Sequence, residues 1–238
     1  MIDTVLWDVD GTLLNFKVAE KAAIKAMFKR FDLGECSDEM LRRYSQINDA
    51  FWRRLERNEL SRKQILIQRF EQFFGEYGIN KDLAEKFNEE YLQALGDTIV
   101  YNDDSLDIIK QLKGMIRQYV VSNGSIVAQT RKLKRSGLGE LMDGVFLSEE
   151  LGIEKPDVVF FEKVFSKIGI KDPSTVMIVG DSLTSDIKGG MNAGIKTCWY
   201  NPAKLPLPDG YRVDYTVSDL HEIVKLIIND RLSIARKR

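Results

Sequence analysis

The rhythm of apolar positions changes near residue 96. From Lys17 to about Leu95 these residues recur at steps of three and four: Ala22, Ala23, Ala26 and Met27, then Leu41, Tyr44, Ile47, Phe51 and Leu55. That spacing lays them along one face of an α-helix. Breaks at Asp32-Leu33-Gly34, at Asn58-Glu59-Leu60 and from Gly75 to Asn80 cut the stretch into four or five helices, enough for a small bundle. Ser61 and Asp82 carry the short oxygen-bearing side chain that closes a helix start, and Ser37 gives half of such a signal.

Beyond Gly96, short apolar runs alternate with helical patterns. Strands are expected at 118–121, 145–147, 175–179, 196–200 and 214–217, and helices at 125–136, 158–168, 185–192 and 220–228. This alternation predicts an α/β fold, a parallel sheet with helices on both faces. One more strand, Thr4 to Trp7, stands ahead of the helical stretch. A lone strand cannot bury itself, so it belongs to the sheet, and the helical stretch is an insertion. The expected domains are therefore 1–15 plus 97–238, and an all-helical 16–96.

Composition narrows the function. The 238 residues are 44% hydrophobic, enough for a real core. A net charge of −1 gives no general attraction to nucleic acid or to anionic membrane. No apolar run reaches transmembrane length, and the start lacks the basic and apolar regions of a signal peptide. Cys36 and Cys198 are far apart and read as reduced, packed thiols, which points to the cytoplasm. A single histidine, His221, disfavours histidine-dependent triads and histidine-rich zinc sites. The basic tail Arg236-Lys237-Arg238 reads as a solvated end.

The chemistry gathers where strands end. Asp8 and Asp10 directly follow the first strand, and Gly11-Thr12 allows a tight exit turn. Carboxylates this close repel unless a cation lies between them, and magnesium suits carboxylate oxygens. Ser122-Asn123-Gly124 ends the second strand. Gly180-Asp181-Ser182 ends another, with Asp186 just beyond, and Lys155-Pro156 stands at a helix entrance. Taken singly, these also fit an ordinary turn, a helix cap and a surface lysine. Their joint order at predicted strand ends does not.

Asp8-Val9-Asp10-Gly11-Thr12, Ser122-Asn123, Lys155, and Gly180-Asp181-Ser182 with Asp186 together resemble the four motifs of the haloacid dehalogenase (HAD) superfamily. The resemblance implies a Rossmann-like core carrying a helical cap. It implies Asp8 as nucleophile and Asp10 as general acid and base. Mg2+ would be held by Asp8, the Asp10 carbonyl and Asp181, with Asp186 orienting that shell. Ser122, the Asn123 region and Lys155 would hold the phosphoryl group. The second aspartate, Asp10, favours phosphoryl transfer over dehalogenation, since a halide leaves without a proton.

Residues 182–201, the segment 216–222, and the cap positions Asn48, Trp52 and Arg69-Phe70 are similar to the noncanonical pyrimidine 5′-nucleotidases. The implied substrate is a small phosphorylated metabolite, a nucleoside monophosphate, with Phe16, Asn48 and Trp52 near it. Competing expectations are a phosphoglycolate or sugar-phosphate phosphatase, a phosphomutase, and a non-enzymatic phospho-acceptor switch.

Overall fold

The computed structural model describes residues 1–235, with side chains to Leu232; the basic tail lies outside the described residues. Among the described residues, six strands form one sheet in the order β3-β2-β1-β4-β5-β6, and every pairing is parallel. They are β1 (Thr4–Trp7), β2 (Arg117–Ser122), β3 (Gly144–Leu147), β4 (Val176–Gly180), β5 (Lys196–Tyr200) and β6 (Tyr215–Val217). The helices are α1 (Phe16–Arg30), α2 (Asp38–Glu56), α3 (Arg62–Glu76), α4 (Ala84–Leu95), α5 (Ser105–Leu112), α6 (Ile126–Ser136), α7 (Ser148–Leu151), α8 (Val158–Ile168), α9 (Lys188–Asn192) and α10 (His221–Ala235).

The chain divides into two compact units. One holds residues 1–15, 101–126 and 136 onward; the other holds 16–100 and 127–135. In the first, β1 and β4 are buried along their whole length, as strands covered on both faces must be. Register then fixes the site. Trp7 lies between Val120 and Val179, and Ser122 pairs with Leu147, so Asp8, Ser122 and Asp181 leave the sheet at one edge. That edge, where strand order reverses about β1, is where open α/β sheets bind ligands.

In the second unit, α1 packs on α4, α2 on α3 and α3 on α4. Their shared core is aromatic. Tyr44 stacks on Phe70 at 5.1 Å, and Phe70 meets Phe87 and Tyr91 at 4.9 and 5.3 Å. Ser37 caps α2 by accepting from Met40 N, and Ser61 forms a reciprocal capping box with Gln64 at the start of α3.

Some expected elements differ. Asp82 does not cap a helix: Asn80 accepts its N–H at the start of a 3₁₀ turn, and α4 begins two residues later at Ala84. Helix α5 has no counterpart in the sequence reading, because its first flanking residue, Asp104, is left-handed and makes no cap bond. The expected helix 185–192 is a wide turn, Leu183–Ile187, followed by the short α9. Cys36 and Cys198 are free and buried. Among the described residues no helix is long and apolar enough to cross a membrane.

Candidate active site

The loop leaving β1 is held open by its own backbone and by side chains from farther along the chain. Leu14 N donates to Val9 O and Gly11 N to Leu14 O, closing a turn over Asp10. Asn102 Nδ2 donates to the carbonyls of Gly11 and Thr12, and Ser105 Oγ donates to that of Leu13. Gly11 has φ +98°, and a Cβ there would collide with the Asp181 carboxylate. Glycine is thus required twice over, by conformation and by space.

Lys155 is fully buried. Its ammonium donates to Asp8 Oδ1 at 2.9 Å, Asp186 Oδ1 at 2.6 Å and the Val121 carbonyl at 2.8 Å, which uses all three of its protons. Burial opposes the charge, but Asp186 and Asp8 outweigh it and hold the lysine protonated beyond its ordinary range. Burial likewise pushes the Asp8 carboxyl up to about 7, against the pull of Lys155, and Asp186 and Asp10 add repulsion. Asp181 is raised well above the usual carboxylate range by lost hydration and by Asp8 and Asp186.

Asp181 is also fixed by its neighbours. Thr12 Oγ1 accepts from Asp181 N at 3.0 Å and donates to Oδ1 at 3.3 Å; the Trp199 indole donates to the Asp181 carbonyl at 3.0 Å. Asp186 Oδ2 accepts from Ser182 N at 3.1 Å, and any Cβ on Gly180 would strike it. Asp8, Asp181 and Asp186 bring carboxylate oxygens within 4.8 Å of one another. Three carboxylates with a single ammonium, shared by Asp8 and Asp186, leave an excess of negative charge, which a hard, oxygen-seeking divalent cation neutralises. The donor set therefore fits magnesium.

The structure thus brings Asp8, Lys155, Asp181 and Asp186 together at one sheet edge, with Asp10 close enough to act on Asp8 electrostatically. Ser122 is buried and its Oγ accepts from Gly124 N at 3.0 Å. Trp199, Asn102 and Ser105 were not legible as parts of the site. Each acts through a backbone carbonyl from a distant segment, and composition or motif gives no sign of that.

The remaining expected residues lie in the helical unit. Phe16 opens α1, with the Lys17 and Lys132 ammonium groups 5.7 and 5.3 Å from its ring. Trp52 is half-buried under the Arg62 guanidinium at 5.7 Å. Asn48 is buried; it donates to Glu20 Oε1 at 2.9 Å and accepts from Arg69 Nη1 at 2.6 Å.

A family model described as haloacid dehalogenase-like hydrolase matches residues 2–194. The chain belongs to that family and is a hydrolase. It is 34% identical over 224 residues to the HAD-hydrolase YfnB of Bacillus subtilis, covering 94% of each chain. A magnesium-bound crystal structure of YfnB superposes with a TM-score of 0.88 at 32% identity, over 95% of this chain and 98% of that one. Identity is 36% over 207 residues to the pyrimidine 5′-nucleotidase PynA of Streptococcus pneumoniae, 84% of each. It is 28% over 225 residues to the pyrimidine 5′-nucleotidase YjjG of Escherichia coli, 94% of this chain and 97% of the other.

Proposed function

We propose that the protein is a magnesium-dependent phosphatase that acts through a phosphorylated Asp8 and takes pyrimidine nucleoside monophosphates as its main substrates. One observation carries the reaction class: a fully buried lysine bridges Asp8 and Asp186 beside Asp181, with Asp10 acting on Asp8 electrostatically. The substrate class draws on the likeness to PynA and YjjG.

In this reading the Asp8 carboxylate attacks phosphorus, the P–O ester bond breaks, and Asp10 gives its proton to the departing oxygen. Water then attacks the acyl phosphate and returns a proton to Asp10. Inorganic phosphate leaves and the Asp8 carboxylate is restored. Ser122 and the Asn123 main chain receive phosphoryl oxygens, and Lys155 balances the charge that Asp8 and the phosphoryl group share. Magnesium, held by Asp8, Asp181 and the Asp10 carbonyl and steadied by Asp186, would neutralise phosphoryl charge when bound. Phe16 and Trp52 are the side chains assigned to the base, and Asn48, tied to Glu20 and Arg69, steadies the helix that carries Trp52. We place the enzyme in the cytoplasm.

The test is phosphate release with magnesium from UMP, dTMP, AMP, phosphoglycolate and sugar phosphates, with Asp8→Asn as the blank. A kcat/KM for UMP or dTMP at least tenfold above the other esters supports the reading. A preference for phosphoglycolate or a sugar phosphate overturns the substrate class, and retained activity in Asp8→Asn overturns the mechanism.

A further inference from the structure

Lys155 lies in the irregular stretch between α7 and α8, so no regular element sets its backbone. Its main-chain groups are bracketed by one side chain. Lys155 N donates to Asn123 Oδ1 at 2.9 Å, and Asn123 Nδ2 donates to Lys155 O at 2.9 Å. A single amide thus meets both polar groups of one residue, closing a ring across 32 positions of sequence. The chemistry also fixes which way the amide points, since only its oxygen can accept and only its nitrogen can donate.

Two residues earlier, the Val121 carbonyl receives the same lysine's ammonium at 2.8 Å. The C-terminal end of β2 therefore holds Lys155 at both ends, by its peptide and by its charge. We propose that Asn123 is a positioning residue: its side chain clamps the Lys155 backbone and so sets where the ammonium meets Asp8, instead of donating to a phosphoryl oxygen itself. This rests on the phosphatase reading above.

The clamp makes a demand on side-chain length that a phosphate donor does not. Alanine removes both bonds. Glutamine keeps both functional groups one methylene farther out, which loses the ring closure but retains a reaching donor. An ångström of misplacement at a catalytic charge costs about 10²-fold in rate. Asn123→Ala and Asn123→Gln should therefore both lower kcat on p-nitrophenyl phosphate by about 10- to 10²-fold, in protein that melts as one folded species. Inorganic phosphate affinity, measured by calorimetry with magnesium, gives the second readout. In a Lys155→Met background, adding Asn123→Ala should change that affinity less than about twofold, because the group it positions is gone.

Equal losses of affinity in both backgrounds, wild-type kcat in Asn123→Ala, or near-wild-type kcat in Asn123→Gln would each overturn the clamp. If Asn123→Ala does not fold, Asn123→Gln in both backgrounds decides by the same criteria. A wild type silent toward every phosphomonoester would fault the phosphatase reading itself and take the catalytic role of the clamp with it.

Discussion

In the sheet unit, Lys155 is buried between Asp8 and Asp186, with Asp181 and Asp10 beside them. In the helical unit, Arg69 is buried facing Glu20 across Asn48, and its Nη2 donates to Asn88 Oδ1 at 2.9 Å. That second chain takes one polar side chain from each of α1, α2, α3 and α4. Both regions bring full charges out of water, where an unpaired one is costly. They differ in balance. Arg69 and Glu20, joined by neutral amides, with Lys17 3.8 Å from Glu20 and paired to Asp49, leave the helical chain with as many cations as carboxylates. Four carboxylates against one ammonium leave the sheet edge short of positive charge, and burial, with the repulsion of the neighbouring carboxylates added, makes Asp8 and Asp181 hold on to protons. A balanced buried network ties helices together; an unbalanced one is built to receive something.

The largest expected effect falls on the unbalanced side. Asp8→Asn should lower phosphate release by at least about 10³-fold, since a carboxamide does not attack phosphorus as a carboxylate does. Steady-state assay with magnesium checks this.

The next pair sets the two regions against each other. Lys155→Met should cut kcat by about 10²–10³-fold. It should also destabilise the metal-free protein by about 3–5 kcal/mol, because Asp8 and Asp186 then face each other without their cation. Magnesium should restore part of that loss. Arg69→Met should cost about 1–3 kcal/mol by leaving the buried amide oxygens of Asn48 and Asn88 without their donor, with kcat within about threefold and no relief from magnesium. Urea titration with and without the metal distinguishes them. Magnesium rescue of Arg69→Met would break the comparison.

A third effect is in pH. The Asp8 carboxyl is raised from 3.8 to about 7 on folding, so the folded state binds this proton more tightly than the unfolded chain. Stability from it is present below about pH 4 and is lost as pH rises toward 7. At about 1.4 kcal/mol per pH unit, the loss reaches at most about 4 kcal/mol. Lys155, raised above its already high range, stays charged throughout that window. In chelator, the melting temperature should fall between pH 5 and pH 8, and added magnesium should raise it more at pH 8. Burial also raises Glu20, whose contribution runs the same way but should not respond to magnesium.

The smallest effect is local to the helical unit. Ser61→Ala removes one side of the α3 capping box and should cost about 1 kcal/mol. For a chain of this size that is about 2–4 °C by calorimetry, with kcat unchanged.

What the sequence disclosed depends on how far apart partners lie. The strands Thr4–Trp7 and Lys196–Tyr200 and the helix Val158–Ile168 fall where the apolar runs place them, because each run is bounded by a charged residue, a glycine or, after Tyr200, Asn201-Pro202. Asp8 and Asp181 were legible together because strand ends of one parallel sheet share an edge; Lys155, between α7 and α8, and Asp186, in the turn after β4, joined them through the resemblance to the HAD motifs. The wide turn at 183–187 was not legible. Ser182 Oγ accepts from Ser185 N, and Asp186 is turned toward Lys155, 31 positions away. The Glu20–Asn48–Arg69–Asn88 chain escaped for the same reason: its links span 19 to 28 positions, and no single-helix periodicity encodes them. Asn123 was placed correctly at a strand end, but its bond to the Lys155 backbone follows only from the loop between α7 and α8.

The Trp199 indole rests on the carbonyl of Asp181. Indole emission responds to nearby charge, so this ring forms a built-in optical gauge beside the carboxylates. Arrival of a cation there can be followed by fluorescence in the unlabelled protein, with Trp7 and Trp52 replaced by phenylalanine to leave Trp199 as the sole tryptophan.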